Sequence, residues 1–133
     1  IAIQEIAATD FEEYREVNEL ILQGRKLGSD VLIAEATDSK CYDTVVISKA
    51  ADAMLAMSGI EASFVLAKNT QGFISISARS RSKLNVQRIM EELGGGGHFN
   101  LAAAQIKDVT LSKAGEKLTE IVLNEIKEKE KEE

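Results

Sequence analysis

The chain has 133 residues, 44% of them hydrophobic and 29% charged, proportions that suit one globular domain able to close its own core. Its net charge of −6 works against broad electrostatic binding of DNA or RNA, while leaving room for a local pocket that takes one small anion. The single cysteine, Cys41, rules out an internal disulfide and has no base beside it, only Tyr42 and Asp43. No apolar run reaches the length of a membrane span, and no stretch reads as a signal peptide.

Residues 1–9 are apolar and uncapped; they read as a strand or as the tail of a preceding domain. A helix begins at Asp10, where Glu13 three residues later completes the form of a capping box. Val17, Leu20, Ile21 and Gly24 give it a 3.6-residue stripe, and Gly28 is the expected stop. Lying before the first strand, this helix is expected to connect to an upstream domain. The chain therefore divides into a connector, residues 1–29, and a domain proper, residues 30–133.

Residues 31–34, Val-Leu-Ile-Ala, are apolar on both faces and predict a buried strand. A polar loop over 37–42 leads to a helix capped by Asp43 or Thr44, with Val46, Ala50, Ala53, Met54 and Met57 on one face and Gly59 as its stop. The methionines at that spacing are core filler. Residues 62–67 predict a second buried strand, 68–72 a turn, and 73–79 a third strand, forming an antiparallel hairpin. In the third strand Ile74, Ile76 and Ala78 point one way, while Ser75, Ser77 and Arg79 point the other. That polar face is either solvated or a wall ending in an arginine suited to a phosphate. Periodicity does not choose between them.

Asn85 or Ser82 caps a helix with Val86, Ile89, Met90 and Leu93 on its inner face, and Gly94 ends it. Four consecutive glycines, Gly94 to Gly97, then precede His98, the sole histidine. One glycine is explained by a helix stop; the next three are not. Linkers are usually padded with serine and other polar residues, so a plain flexible tether is the weaker reading. The run after it, residues 99–106, reads as a short helix or a helix turning into a strand over 103–109. Glycines opening a helix would gather amides and the positive dipole end at His98, a place that favours an anion. Ser112 is the expected cap of a last helix with Leu111, Ala114, Leu118, Ile121, Val122 and Ile126 inward. Its Lys/Glu tail, 127–133, is a solvated end. After the first helix the order is β-α-β-β-α-α-β-α: an α/β fold, one domain with a mixed sheet flanked by helices and preceded by a connector helix.

Catalytic machinery is thin. One histidine and no closely spaced aspartate pair make a two-metal hydrolytic site within these residues improbable. No nucleophile elbow is present, and His98-Phe99 stands where a Walker motif needs Lys and Ser or Thr. What is left is a phosphate-recognition element without an engine of its own, so the chain alone is expected to be inactive, with no catalytic and no metal-binding residue.

Gly94 to His98 followed by Ala102-Ala103-Ala104, with Ser77-Ala78-Arg79-Ser80 and Asn85-Val86 before it, resembles the C-terminal DHH-associated domain of DHH-family phosphoesterases. Gly59-Ile60-Glu61-Ala62-Ser63-Phe64-Val65, Ile76 to Ser80, Asn85-Val86-Gln87 and the stretch 94–105 are most similar to the GdpP-type cyclic-di-AMP phosphodiesterases of bacteria. The resemblance covers roughly residues 30–126. It implies a division of labour: a DHH domain, absent here, holds a manganese pair and activates water, and the associated domain grips the nucleotide. It further implies hydrolysis of the cyclic dinucleotide to linear pApA by the whole protein, in second-messenger signalling, with this part cytoplasmic in a membrane-anchored protein and not itself touching the membrane. The substrate-binding residues implied are Ser77, Arg79, Ser80, Gly95, Gly96, Gly97, His98 and Asn100. No cofactor is expected in this chain. The partners are a cyclic or linear dinucleotide, the DHH domain and, as a homodimer, a second copy. Relatives often have asparagine just before the alanines, whereas Asn100 is here followed by Leu101, so the departure implies a polar contact that is shifted or lost. Two other readings stand beside this one. The first is a binding domain for single-stranded nucleic acid or oligoribonucleotides, as in DHH-family exonucleases and alanyl-tRNA-synthetase-like proteins. The second is a purely structural domain whose glycines serve only the turn.

Overall fold

The computed structural model describes residues 10–132. The strand or tail expected over residues 1–9 lies outside them. Helix α1 (Phe11–Ile21) opens where the Asp10 carboxylate accepts the Glu12 amide at 2.9 Å. Glu13 does not return the bond as a capping box would; its Oε1 sits 3.0 Å from Lys49 Nζ on the next helix. The helix also ends earlier than its stripe suggested. Residues expected to continue it form an edge strand, β1 (Gly24–Leu27), antiparallel to β2 (Val31–Glu35).

Helix α2 (Thr44–Leu55) is capped by Asp43, whose Oδ1 accepts the Val45 amide at 3.0 Å. It buries Val46, Ile47, Ala50, Ala51 and Met54, whereas Met57, expected on that face, is exposed beyond the helix end. Strands β3 (Ala62–Lys68) and β4 (Ile74–Ser80) form the expected hairpin. Helix α3 (Val86–Glu92) is capped by Asn85. A short strand β5 (Gly96–Gly97) and strand β6 (Leu101–Ile106) follow. Helix α4 (Leu111–Glu132) is capped by Thr110, whose Oγ1 accepts the Lys113 amide, and not by Ser112.

Six strands make one mixed sheet in the order β1-β2-β3-β4-β6-β5, with β2 and β3 parallel and every other pair antiparallel. The parallel crossover between β2 and β3 runs through α2. Helices α1 and α2 cover one face, and α3 and α4 the other. Cross-strand partners share a face, so the register assigns the side chains. Val31, Ile33, Phe64, Leu66, Ile76, Ala78, Ala102 and Ala104 form the buried layer under α3 and α4. The opposite layer holds Ala34, Val65 and Ala67 beneath α2. It also holds Ser63, Ser75, Ser77 and Arg79, all buried.

One charged side chain sits against that first core. Gly115 of α4 lies beneath the Glu35 carboxylate, where a Cβ would overlap Oε1 and stand 2.7 Å from Cδ. Burial pushes the Glu35 carboxyl above the usual glutamate value; Arg25 pulls it back, and Asp38 and Glu116 add to the rise. The folded chain thus holds this proton more tightly than the unfolded one. The resulting stability is fully present below the unfolded carboxyl value and is lost as pH rises through the raised folded value. Gly115→Ala should swing the flexible carboxylate out to water and add helix propensity, stabilising the chain by about 1 kcal/mol at neutral pH. Urea unfolding near pH 7 and near pH 4 checks this. The gain should be larger at the higher pH, and a destabilised variant would show that Glu35 has nowhere to go.

Candidate functional site

The glycine run does not open a helix. Gly94, at φ 83°, ends α3 in the left-handed conformation, and the Gly94 and Gly95 amides donate to Glu91 O at 3.1 Å and Met90 O at 2.8 Å. Gly96 and Gly97 then pair with Ala103 and Ala102 of β6. His98 and Leu101 exchange both backbone hydrogen bonds, at 2.7 and 3.3 Å, closing a hairpin with Phe99-Asn100 at its tip. A helix dipole therefore plays no part at His98. The strand that follows starts at Leu101 and ends at Ile106, in place of residues 103–109.

Each glycine now has its own account. Gly94 needs its positive φ. A Cβ on Gly95 would run into Ala103 O and stand 2.7 Å from Ala104 Cα, and one on Gly97 would stand 2.5 Å from Leu101 O and 2.6 Å from Ala102 Cα. Gly96 is different: φ is ordinary, and a Cβ there meets nothing within 4 Å. The fold has no use for a glycine at this position.

The register places Gly96 and His98 on the same side of the sheet as Ala103 and Leu101, hence as Ser77 and Arg79 of β4. Helix α2 covers β4 on this side but not β6, so Leu101, Ala103 and Gln105 are exposed, Leu101 at 52%. The result is an open trough. Its floor is β6, one wall is α2 with Val45, Ser48 and Asp52, and the other is the glycine edge with His98. His98 is exposed, and its ring makes no hydrogen bond among the described residues. Antiparallel alternation turns the Gly96 amide toward β6 and the Gly97 amide off the sheet edge.

The remaining candidates lie deeper. Ser77 Oγ is 3.2 Å from Ser48 Oγ under α2. The Arg79 side chain is only 9% exposed, with Nε donating to Asp52 Oδ1 at 2.6 Å and Nη1 to Ala78 O at 2.9 Å. The strand's polar face is not solvated, since α2 roofs it. The arginine is built into the layer. Ser80 is buried, its hydroxyl donating to Phe99 O at 3.2 Å. Asn100 Nδ2 donates to Ser80 O at 3.1 Å and Arg81 O at 2.6 Å, tying the hairpin tip to the end of β4. These two residues carry the loop that carries His98.

Sequence reasoning missed Asp52, Ser48 and Glu61. Ser48 and Asp52 are four apart on the polar side of α2, a spacing visible in the sequence but uninformative without knowing that Arg79 lies below. Glu61, 8% exposed, accepts the amides of Ser82, Lys83 and Leu84 at 3.2, 2.7 and 3.0 Å. It shapes the loop between β4 and α3.

A groove of about 770 Å³ lies on the other face between α3, β6 and α4. Its rim carries Glu92, Glu116 and Glu120 against Lys113 and Lys117, a poor setting for an anion. Among the described residues no group of three His, Cys, Asp or Glu side chains is placed to hold a metal ion, so these residues do not fit a manganese site. No described helix is long and apolar enough to cross a membrane.

A model of the DHHA1 domain matches residues 28–132. The chain belongs to the DHHA1 domain family. This DHHA1 domain is 47% identical over 92 residues to the cyclic-di-AMP phosphodiesterase GdpP of Geobacillus thermodenitrificans (strain NG80-2), covering 69% of the chain and 14% of that protein. It is 39% identical over 118 residues to the cyclic-di-AMP phosphodiesterase PdeA of Listeria monocytogenes serotype 1/2a (strain 10403S), covering 89% of the chain and 18% of that protein. The chain thus spans less than a fifth of either relative's length. An exopolyphosphatase-related protein from Bacteroides fragilis shares the fold, with a TM-score of 0.68 at 19% identity over 84% of this chain and 35% of that one.

Proposed function

We propose that this DHHA1 domain is the substrate-holding part of a cyclic-di-AMP phosphodiesterase, and that the trough beside Gly96 receives one phosphate and its neighbouring base. The observation that carries the reading is Gly96, a glycine that the fold does not require, next to an exposed histidine whose row runs through Leu101 to Arg79. In this reading His98 and the Gly97 amide meet the phosphate, and Arg79 supplies charge from below. The bare Gly95–Gly97 edge lets the ligand lie close, Leu101 offers an apolar surface to the base, and Ser77, Ser80 and Asn100 hold the frame. The family relationship to GdpP and PdeA supports cyclic-di-AMP as the ligand class. Metal chemistry belongs, in the same reading, to a DHH domain outside this chain, and membrane anchoring to further segments.

The test is a titration of the 133-residue chain with cyclic-di-AMP and with linear pApA, followed by NMR. Shifts should centre on Gly96 to Ala103 and on Arg79. His98→Ala should weaken binding tenfold, roughly 1.4 kcal/mol, without lowering the melting temperature, because the ring is exposed and makes no hydrogen bond among the described residues. Shifts confined to the groove between α3 and α4, no binding at all, or undiminished binding by His98→Ala would overturn the proposal.

A further inference from the structure

The ion pair between Arg79 and Asp52 is unequal. Arg79 is buried to 9% exposure on β4, whereas the Asp52 side chain is 62% exposed on α2. Three nitrogens belong to the guanidinium. Nε is bound to Asp52 Oδ1 and Nη1 to Ala78 O, while Nη2 has no hydrogen-bond partner among the described residues. Yet no buried side-chain nitrogen or oxygen among those residues lacks a partner. Nη2 therefore keeps access to solvent. The solvent it meets is the trough, because on one side Arg79 is paired across the sheet with the exposed Leu101, and on the other it is roofed by α2.

We infer that Asp52 is a positioning residue for anion binding: it fixes Arg79 through Nε so that Nη2 faces the trough with its donors free. This rests on the proposed role of the trough and names the residue that sets the geometry of its one buried cation. A guanidinium is planar, so one bond at Nε and one at Nη1 define where Nη2 points. Without Asp52 only the bond to the strand's own backbone remains, and the head can turn about it. Asp52 also brings a negative charge toward the same anion. Positioning and repulsion thus predict opposite results for its removal, which makes the role decidable.

Asp52→Ala removes both the bond and the charge; Asp52→Asn removes the charge but keeps an oxygen at Oδ1 to accept from Nε. With cyclic-di-AMP as the probe, and the intact chain titrated by NMR, Asp52→Ala should bind about tenfold more weakly. Asp52→Asn should recover most of that loss, and the Arg79 Nε–H signal should be protected from exchange in the parent and in Asp52→Asn but not in Asp52→Ala. A role in stability alone would move the melting temperatures without this pattern of rescue. Should Asp52→Ala melt before titration, Asp52→Glu, with the carboxylate one methylene further out, replaces it in the comparison. Arg79→Lys is the control for the trough itself. If Arg79→Lys binds weakly while Asp52→Ala binds like the parent, or if both Asp52 variants bind more tightly, the positioning role is wrong and the trough stands. If the parent does not bind, or Arg79→Lys binds undiminished, the trough reading fails and takes this inference with it.

Discussion

Glu61→Ala is expected to lower the unfolding free energy by about 3 kcal/mol, the largest single-residue loss forecast for a polar side chain here. Its carboxylate accepts three successive backbone amides, from Ser82, Lys83 and Leu84. Ser82 and Lys83 are exposed, and water can replace the carboxylate for them; Leu84 is buried, and its amide would be left unpaired. All three amides converge on Oε2, so Glu61→Gln can keep that acceptor while losing the charge, and should fall between the parent and Glu61→Ala. The damage should also spread. The Arg81 carbonyl receives the Asn100 side chain, and Asn85 just beyond the loop caps α3. Hydrogen exchange at Ser82 to Leu84 and at Leu101 should both accelerate in Glu61→Ala. Urea unfolding with the parent's midpoint would show that the loop finds water as good a partner as the carboxylate.

How much of this was legible in the sequence differs from strand to strand. The runs at 31–34, 62–67 and 73–79 are apolar enough to declare themselves, and Asp43 and Asn85 announce their helices by chemistry that works within four residues. β1 carries no such signal. Gly24-Arg25-Lys26-Leu27 is a strand only because β2 offers it an open edge. The alternation in β4 was legible but its meaning was not, because the polar face is covered by a helix that arrives from thirty residues earlier in the chain, and no local pattern encodes that meeting. The glycine run was legible as a stretch of unusual backbone and misleading as a conformation. Glycine imposes so little on its own backbone that the neighbours decide, and here the Ala103 edge of β6 makes it a strand.

The same run gives the sharpest contrast available in this molecule. Gly95→Ala and Gly96→Val are neighbouring substitutions with opposite expected consequences. At Gly95 a Cβ would strike the Ala103 carbonyl and the Ala104 backbone, atoms that cannot step aside without parting β6 from the end of α3. Gly95→Ala should therefore destabilise the chain by about 2 kcal/mol or more, and lose ligand only in proportion to its unfolding. At Gly96 a Cβ enters open space at an ordinary φ, on a strand that favours a branched side chain over glycine. Gly96→Val should melt no lower than the parent. Its isopropyl group would nonetheless stand in the trough beside His98, where the ligand's phosphate is placed, and should reduce affinity for cyclic-di-AMP by tenfold or more, about 1.4 kcal/mol. Melting temperature and affinity measured on the two proteins separate the roles of adjacent residues. Full binding by Gly96→Val would mean that the space above Gly96 is empty for a reason other than this ligand.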